Sequence, residues 1–194
     1  MDFAPSARSE ELRAKLTEFD ADVVRPAEPI YRQQRSDSGD IRHPPEVMEE
    51  LKTEAKKRDL WNLFLPDDEY GAGLSNLDYA PLCEVMGQSP LLGEATNCAA
   101  PDTGNMEILA QFGTDQQKEQ WLHPLLDGEI RSCFAMTEPW VASSDATNIS
   151  SRIVRDGDHY VVNAHKWWTS GAASTRCWCR WTSRRTCSTR CCRN

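Results

Sequence analysis

Two short stretches hold the residue types that could do chemistry. The first, Cys133 to Asp145 (CFAMTEPWVASSD), opens as the apolar run Cys133-Phe134-Ala135-Met136. It turns polar at Thr137-Glu138, breaks at Pro139 and ends in the hydroxyl-rich run Ala142-Ser143-Ser144-Asp145. An apolar run closed by proline reads as a buried strand running into a loop. Strand ends that release hydroxyls and backbone amides are common places to hold a cofactor. Glu138, at the strand exit, reads as structural. The second stretch is Lys166-Trp167-Trp168-Thr169, a further strand candidate. Other candidates are weak. His43, His123, His159 and His165 have no mutual spacing that builds a metal site. The C-terminal cysteines offer CxC, CxxxC and CC but no paired CxxC framework, so no metal is expected. Gly71 and Gly73 form a lone GxG without a preceding strand or a helix start, and read as a tight loop rather than a phosphate cradle.

The elements that position these stretches change character once. Leu12, Leu16, Phe19 and Val23 recur at steps of four, three and four, which predicts a helix over about 8–24. Ser9 suits its start, and Pro26 and Pro29 suit its end. Residues 30–44 read as irregular. A second helix is predicted from Pro45 to Arg58, with Val47, Met48, Leu51 and Ala55 inward and Lys52, Lys56, Lys57 and Arg58 towards its C-terminus. Ser75 can cap a third helix. Asp102 or Thr103 can cap another, and Thr114 with Gln117 has the spacing of a capping box for the next, which ends at Gly128. Residues 91–101 suit a tightly packed segment. Trp61 and Trp121 lie in apolar helical patterns and read as core. Beyond Gly128 the period shortens. Ile149 to Val154, the turn Arg155-Asp156-Gly157-Asp158 and Tyr160-Val161-Val162 predict a hairpin.

The fold class expected is therefore α+β: an N-terminal helical domain over 1–128, then the first strands of an antiparallel sheet or β-barrel domain over 129–172, cut short. Residues 173–194 form an atypical tail with six arginines from Arg176 onward, five cysteines and no acid. Removing those six from the 22 basic residues leaves 16 against 30 acidic ones, a net of −14 for the body. The abrupt change in composition reads as out-of-frame translation beginning near codons 173–176. An acidic body argues against nucleic-acid or anionic-membrane binding. No stretch reaches the ~18 apolar residues of a membrane span, and the first residues lack the pattern of a secretory signal. A cytoplasmic protein is expected, or a mitochondrial or peroxisomal one if the source is eukaryotic.

The chain resembles the acyl-CoA dehydrogenase family, in its longer-chain branch. The resemblance is carried by LFLPDDEYGAGLSNLDYAPLCEVMG at 63–87, ILAQFGTDQQKEQWLHPLLDGEIRSCFAMTEP at 108–139 and HKWWTSGA at 165–172. It covers roughly residues 1–172. It implies an FAD-dependent oxidoreductase acting on CH–CH bonds in fatty acid β-oxidation. Such an enzyme converts acyl-CoA to trans-2-enoyl-CoA and passes electrons to an electron-transfer flavoprotein. Homo-oligomers are usual in the family.

The resemblance also implies roles. Phe134, Met136 and Thr137 would lie along the flavin, and the Thr137 hydroxyl would meet its polar edge. Ser143 or Ser144 would reach the FAD phosphate, or the thioester end of the substrate, a role carried in the first instance by Ser144. Trp168 would pack near the ring, with Thr169 or Ser170 bonding its edge. Trp140 stands where the family usually has a small or acidic residue. The family's catalytic carboxylate lies in a second helical domain that would fall beyond residue 194, so none is assigned within this sequence and the chain alone is expected to be inactive. The competing reading is a non-enzymatic helical interaction module with a disordered basic tail.

Overall fold

The computed structural model describes residues 4–40, 44–169, 171–172 and 187–191. The chain divides into two compact units, Met1–Arg131 and Ser132–Asn194. His43, Ser170 and most of the tail, with its out-of-frame reading, lie outside the described residues.

The first unit is helical. Helix α1 (Ala7–Phe19) starts at Ser6, whose side chain accepts the Ser9 amide, and not at Ser9. Ser9 sits one turn inside, buried, and donates to the Asp78 carbonyl at 2.6 Å. The prolines do not end this helix. A π-helical turn, Asp20–Val24, feeds directly into α2 (Arg25–Ser38), with Pro26 in its first turn. The π-turn carries the helix across this point, the Arg25 amide reaching Asp20 O five residues back, so the helix runs on past the amide that Pro26 lacks. The stretch after residue 30, read as irregular, is therefore helical as far as Ser38, and Pro29 lies within it. Helices α3 (Glu46–Lys57) and α4 (Asn76–Met86) follow, then the short α5 (Leu92–Ala95) within the segment read only as tightly packed. Next come α6 (Asp102–Phe112) and α7 (Asp115–Gln117). A second π-turn, Lys118–Leu122, leads into α8 (His123–Leu126). The capping box of Thr114 and Gln117 is formed. Asp102 is not a cap: it is buried and receives the Arg131 guanidinium at 2.5 Å.

Two apolar clusters fill this unit. One gathers Leu16, Phe19, Met48, Leu51, Leu82 and Leu92, and the other Phe64, Leu65, Met106, Leu122 and Leu125. Tyr79 and Cys98 pack against both. Each fully buried aliphatic side chain contributes about 1.5–3 kcal/mol. The end of α8 would leave carbonyls without partners. Leu126 O instead receives Trp61 Nε1 at 2.7 Å and Asn62 Nδ2 at 3.0 Å, and Leu125 O receives Asn97 Nδ2 at 3.0 Å. Gly128 follows at φ +73, and a Cβ there would lie 2.8 Å from the Trp61 ring. Both glycine amides of the GxG loop are already committed, Gly71 to Asp67 O and Gly73 to Leu65 O, so the loop closes on itself as expected.

The second unit carries an antiparallel sheet of order β1-β2-β3. β1 (Arg152–Asp156) and β2 (His159–Ala164) form the predicted hairpin, with Ile153 opposite Val162 and Asp156 opposite His159. Gly157 turns the chain at φ +60. β3 (Cys187–Cys191) pairs with β2, Ala164 opposite Cys187 and Tyr160 opposite Cys191. Neither 133–138 nor 165–169 is a regular strand. They meet through the Trp167 amide, which donates to Thr137 O at 3.1 Å, and the run then breaks at Trp168, where φ is +51. A left-handed residue cannot continue a strand ladder.

Candidate functional site

The residues singled out around 134–144 and 166–169 all belong to the second unit. Their geometry is set from one buried side chain, Glu138. Its carboxylate receives five donors: the Ser150 amide (2.8 Å) and hydroxyl (2.5 Å), the Ser151 amide (3.0 Å) and hydroxyl, and Lys166 Nζ (2.8 Å). Lys166 Nζ also reaches Met136 O at 2.9 Å. Going the other way, the Glu138 amide donates to Ser143 Oγ at 2.8 Å. The Lys166 hydrogen bond first, then the Ser150 and Ser151 hydroxyls, hold the Glu138 carboxyl far below the usual carboxylate range. Glu138 is thus a fixed anion with its acceptor capacity used, and not a base for a substrate proton.

Ser143 and Ser144, equivalent in the sequence, differ in place. Ser143 is 3 % exposed and spends its oxygen on the Glu138 amide. Ser144 is exposed. Asp145 folds back on the loop, accepting the Thr147 amide at 2.9 Å and hydroxyl at 2.7 Å, so it caps the 3-10 turn Ala146–Asn148. The hydroxyl run therefore presents Ser144 between two residues engaged in structure.

The aromatic and apolar members are solvent-facing. Phe134 is 59 % exposed and Trp168 is 81 % exposed, while Met136, Thr137 and Thr169 are half-buried. Trp167 and Trp168 lie edge to face, 6.1 Å between ring centres. Single exposed rings are ordinary, whereas adjoining ones such as Trp167 and Trp168 offer a contact surface. Trp140 points outward, 79 % exposed, with its ring edge-on to His165 at 4.8 Å. Exposed rings at Phe134 and Trp168 and hydroxyls at Thr137, Ser144 and Thr169 are groups of the kind that a planar cofactor with a polar rim would need. The partners missed from the sequence are Ser150, Ser151 and Lys166. Their only signal was Lys166 next to the tryptophan pair, because a carboxylate and an ammonium 28 residues apart do not announce each other. Among the described residues no group of histidines, cysteines and carboxylates could hold a metal.

Comparison with known proteins gives the same arrangement a family. The acyl-CoA dehydrogenase N-terminal domain matches residues 6–129, and the acyl-CoA dehydrogenase middle domain matches 133–190. The second match runs past Ala172, the end of the resemblance legible in the sequence. FadE2 of Mycobacterium tuberculosis, assigned as an acyl-CoA dehydrogenase, is 58% identical over 179 residues, which are 91% of this chain and 43% of that protein. A solved structure from Mycobacterium abscessus, assigned to the same activity, superposes with TM-score 0.80 at 48% identity, over 87% of this chain and 43% of the other. Glutaryl-CoA dehydrogenase from Mycobacterium smegmatis, solved in complex with FADH2, shares the fold at TM-score 0.63 and 21% identity, over 88% and 41%. The chain spans less than half the length of these relatives. With both of its units matched in order to the two successive domains of one enzyme family, the chain belongs to the acyl-CoA dehydrogenase family.

Proposed function

We propose that the second unit is one wall of an FAD site, and that the whole enzyme dehydrogenates acyl-CoA to trans-2-enoyl-CoA with electrons leaving to an electron-transfer flavoprotein. The observation that carries this reading is the exposure of Phe134 and Trp168 on two segments joined by the Trp167 amide to Thr137 O, with Thr137, Thr169 and the exposed Ser144 on the same segments. Bound FAD would supply the hydride acceptor. The chain's own part is to cover one face of the ring with Phe134, Met136 and Trp168 and to exclude water from it. Thr137 and Thr169 hydrogen-bond its rim, Ser144 binds phosphate or the thioester end of the substrate, and Ser170 is the alternative to Thr169. Ser143 is left to hold the loop.

The family resemblance implies a proton acceptor in a further helical domain; Glu138, saturated with donors, is not proposed for that part. The domain division proposed is 1–128 helical, 129–172 the beginning of the middle domain and 173–194 the tail. The enzyme is proposed to act away from a membrane interior; no helix among the described residues is long and apolar enough to cross one. A cytoplasmic, mitochondrial or peroxisomal setting fits β-oxidation.

The test is titration of the purified chain with FAD, followed by quenching of flavin fluorescence. Saturable quenching is expected, weakened about tenfold in Trp168→Ala, the equivalent of ~1.4 kcal/mol of ring packing. No saturation up to roughly 1 mM FAD refutes the reading. The same sample should show no acyl-CoA-dependent dye reduction. Turnover by the chain alone would refute the placement of the base elsewhere.

A further inference from the structure

The flavin reading leaves Glu138 and Lys166 without a task, yet they are the most heavily bonded side chains of the second unit. Their side chains are 2% and 11% exposed, in a unit whose β1 residues are exposed throughout. A buried ion pair is seldom the cheapest way to stabilise a fold, and its best-attested use is to impose one geometry among several. Here the pair joins four separate pieces of chain. Lys166 Nζ bridges Met136 O and Glu138 Oε1. Glu138 gathers the amides of Ser150 and Ser151 just before β1. Its own amide ties Ser143 into the loop.

The positions next to these anchors are those proposed to meet the cofactor. Thr137 lies between Met136 and Glu138. Ser144 follows Ser143. Trp168 is two residues after Lys166, in a backbone conformation that bulky L-residues seldom take. Such a conformation persists only where its surroundings over-determine it. The Trp167 amide bonded to Thr137 O, directly beside Lys166, is that constraint.

We propose that Glu138 and Lys166 are positioning residues of the flavin wall: their buried pair locks segments 136–138, 143–144 and 166–168 into one rigid strip, so that Thr137, Ser144 and Trp168 are set before the cofactor arrives. This rests on the flavin reading. It assigns neither residue any contact with the cofactor. The effect is preorganisation, which lowers the ordering cost of binding.

The experiment compares the full chain with Glu138→Gln, Lys166→Met and Lys166→Arg, read in two ways. The first is the far-ultraviolet circular dichroism couplet of the edge-to-face Trp167–Trp168 pair, which reports the geometry of the strip without any cofactor. The second is FAD affinity by flavin fluorescence. Glu138→Gln and Lys166→Met should flatten the couplet and weaken FAD about tenfold, while Lys166→Arg, which keeps the charge, stays within about threefold of the parent. Retention of couplet and affinity within about twofold in Glu138→Gln or Lys166→Met overturns the proposal. So does loss of the whole unit's fold in all three variants, Lys166→Arg included, which marks a purely structural pair. If the unchanged chain binds no FAD, the flavin reading fails by itself, and the couplet still decides whether this pair sets the strip.

Discussion

Replacing Ser143 and Ser144 one at a time separates two residues that the sequence leaves equivalent. Ser143 Oγ accepts the Glu138 amide at 2.8 Å and is buried. Alanine at 143 leaves that amide without an acceptor. An orphaned buried donor costs about 1–3 kcal/mol, and a midpoint of ~2 kcal/mol is about 30-fold in the local opening equilibrium. Ser144 is exposed, and its alanine variant should change stability by less than about 0.5 kcal/mol. The assay is amide hydrogen exchange over 133–145, resolved at Glu138, with an FAD titration alongside. Ser143→Ala should speed exchange at Glu138 by about 30-fold, and Ser144→Ala should leave exchange unchanged while weakening FAD about tenfold, the loss of one hydrogen bond to a charged group. Exchange at Glu138 that stays within about twofold in Ser143→Ala refutes the reasoning, as would identical behaviour of the two variants.

Asn97 sits at φ +56 and serves Asn62 Oδ1 (2.7 Å) and Leu125 O (3.0 Å), so Asn97→Ala should cost the helical unit about 3 kcal/mol in urea unfolding; Asn97→Gly, free of the left-handed penalty, should cost ~1 kcal/mol less, and equal losses would contradict the backbone argument. Acid should act on the second unit through Glu138. Its folded pKa is depressed, so its contribution is complete above the ordinary glutamate value of 4.5 and is lost as pH falls from there through the lower folded value. Asp145, lowered by Thr147, acts in the same direction. Protection factors at the Ser150 and Ser151 amides, referred to the intrinsic exchange rate at each pH, should be alike at pH 7 and pH ~5 and fall only below that, and protection lost already between those two values would contradict the assignment. Trp140→Ala removes only an edge-to-face contact with His165 and should cost about 0.5–1 kcal/mol with FAD affinity unchanged; an affinity shift beyond about threefold would place Trp140 in the cofactor wall.

Local chemistry explains what was legible before the fold was known. Helices α3 and α4, the capping box at Thr114 and the Gly157 hairpin each depend on residues within a few positions of one another. Apolar spacing, cap hydroxyls and turn glycines encode such elements directly. Misreadings arose where a local signal was ambiguous. Pro26 and Pro29 are helix breakers in an interior but are accommodated beyond the π-turn Asp20–Val24. Ser9 has the chemistry of a cap, but Ser6 takes the role and Ser9 turns to Asp78, 69 residues away. Phe134 to Thr137 has strand composition, yet the partner segment breaks at a left-handed Trp168, and the two are joined by the Trp167 amide and Lys166 Nζ rather than by a ladder.

By itself the sequence determined the α-then-β order and the hairpin, because those follow from residue type and short-range period; the flavin role proposed for the two stretches rests on the family. Tertiary structure alone decided which serine is buried, that Glu138 is saturated, and that Lys166 joins Met136 to Glu138. The reason is physical. Which donor meets which acceptor across 28 residues depends on the path of the chain between them, and a carboxylate becomes a fixed anion only when that path removes it from water and fills its lone pairs.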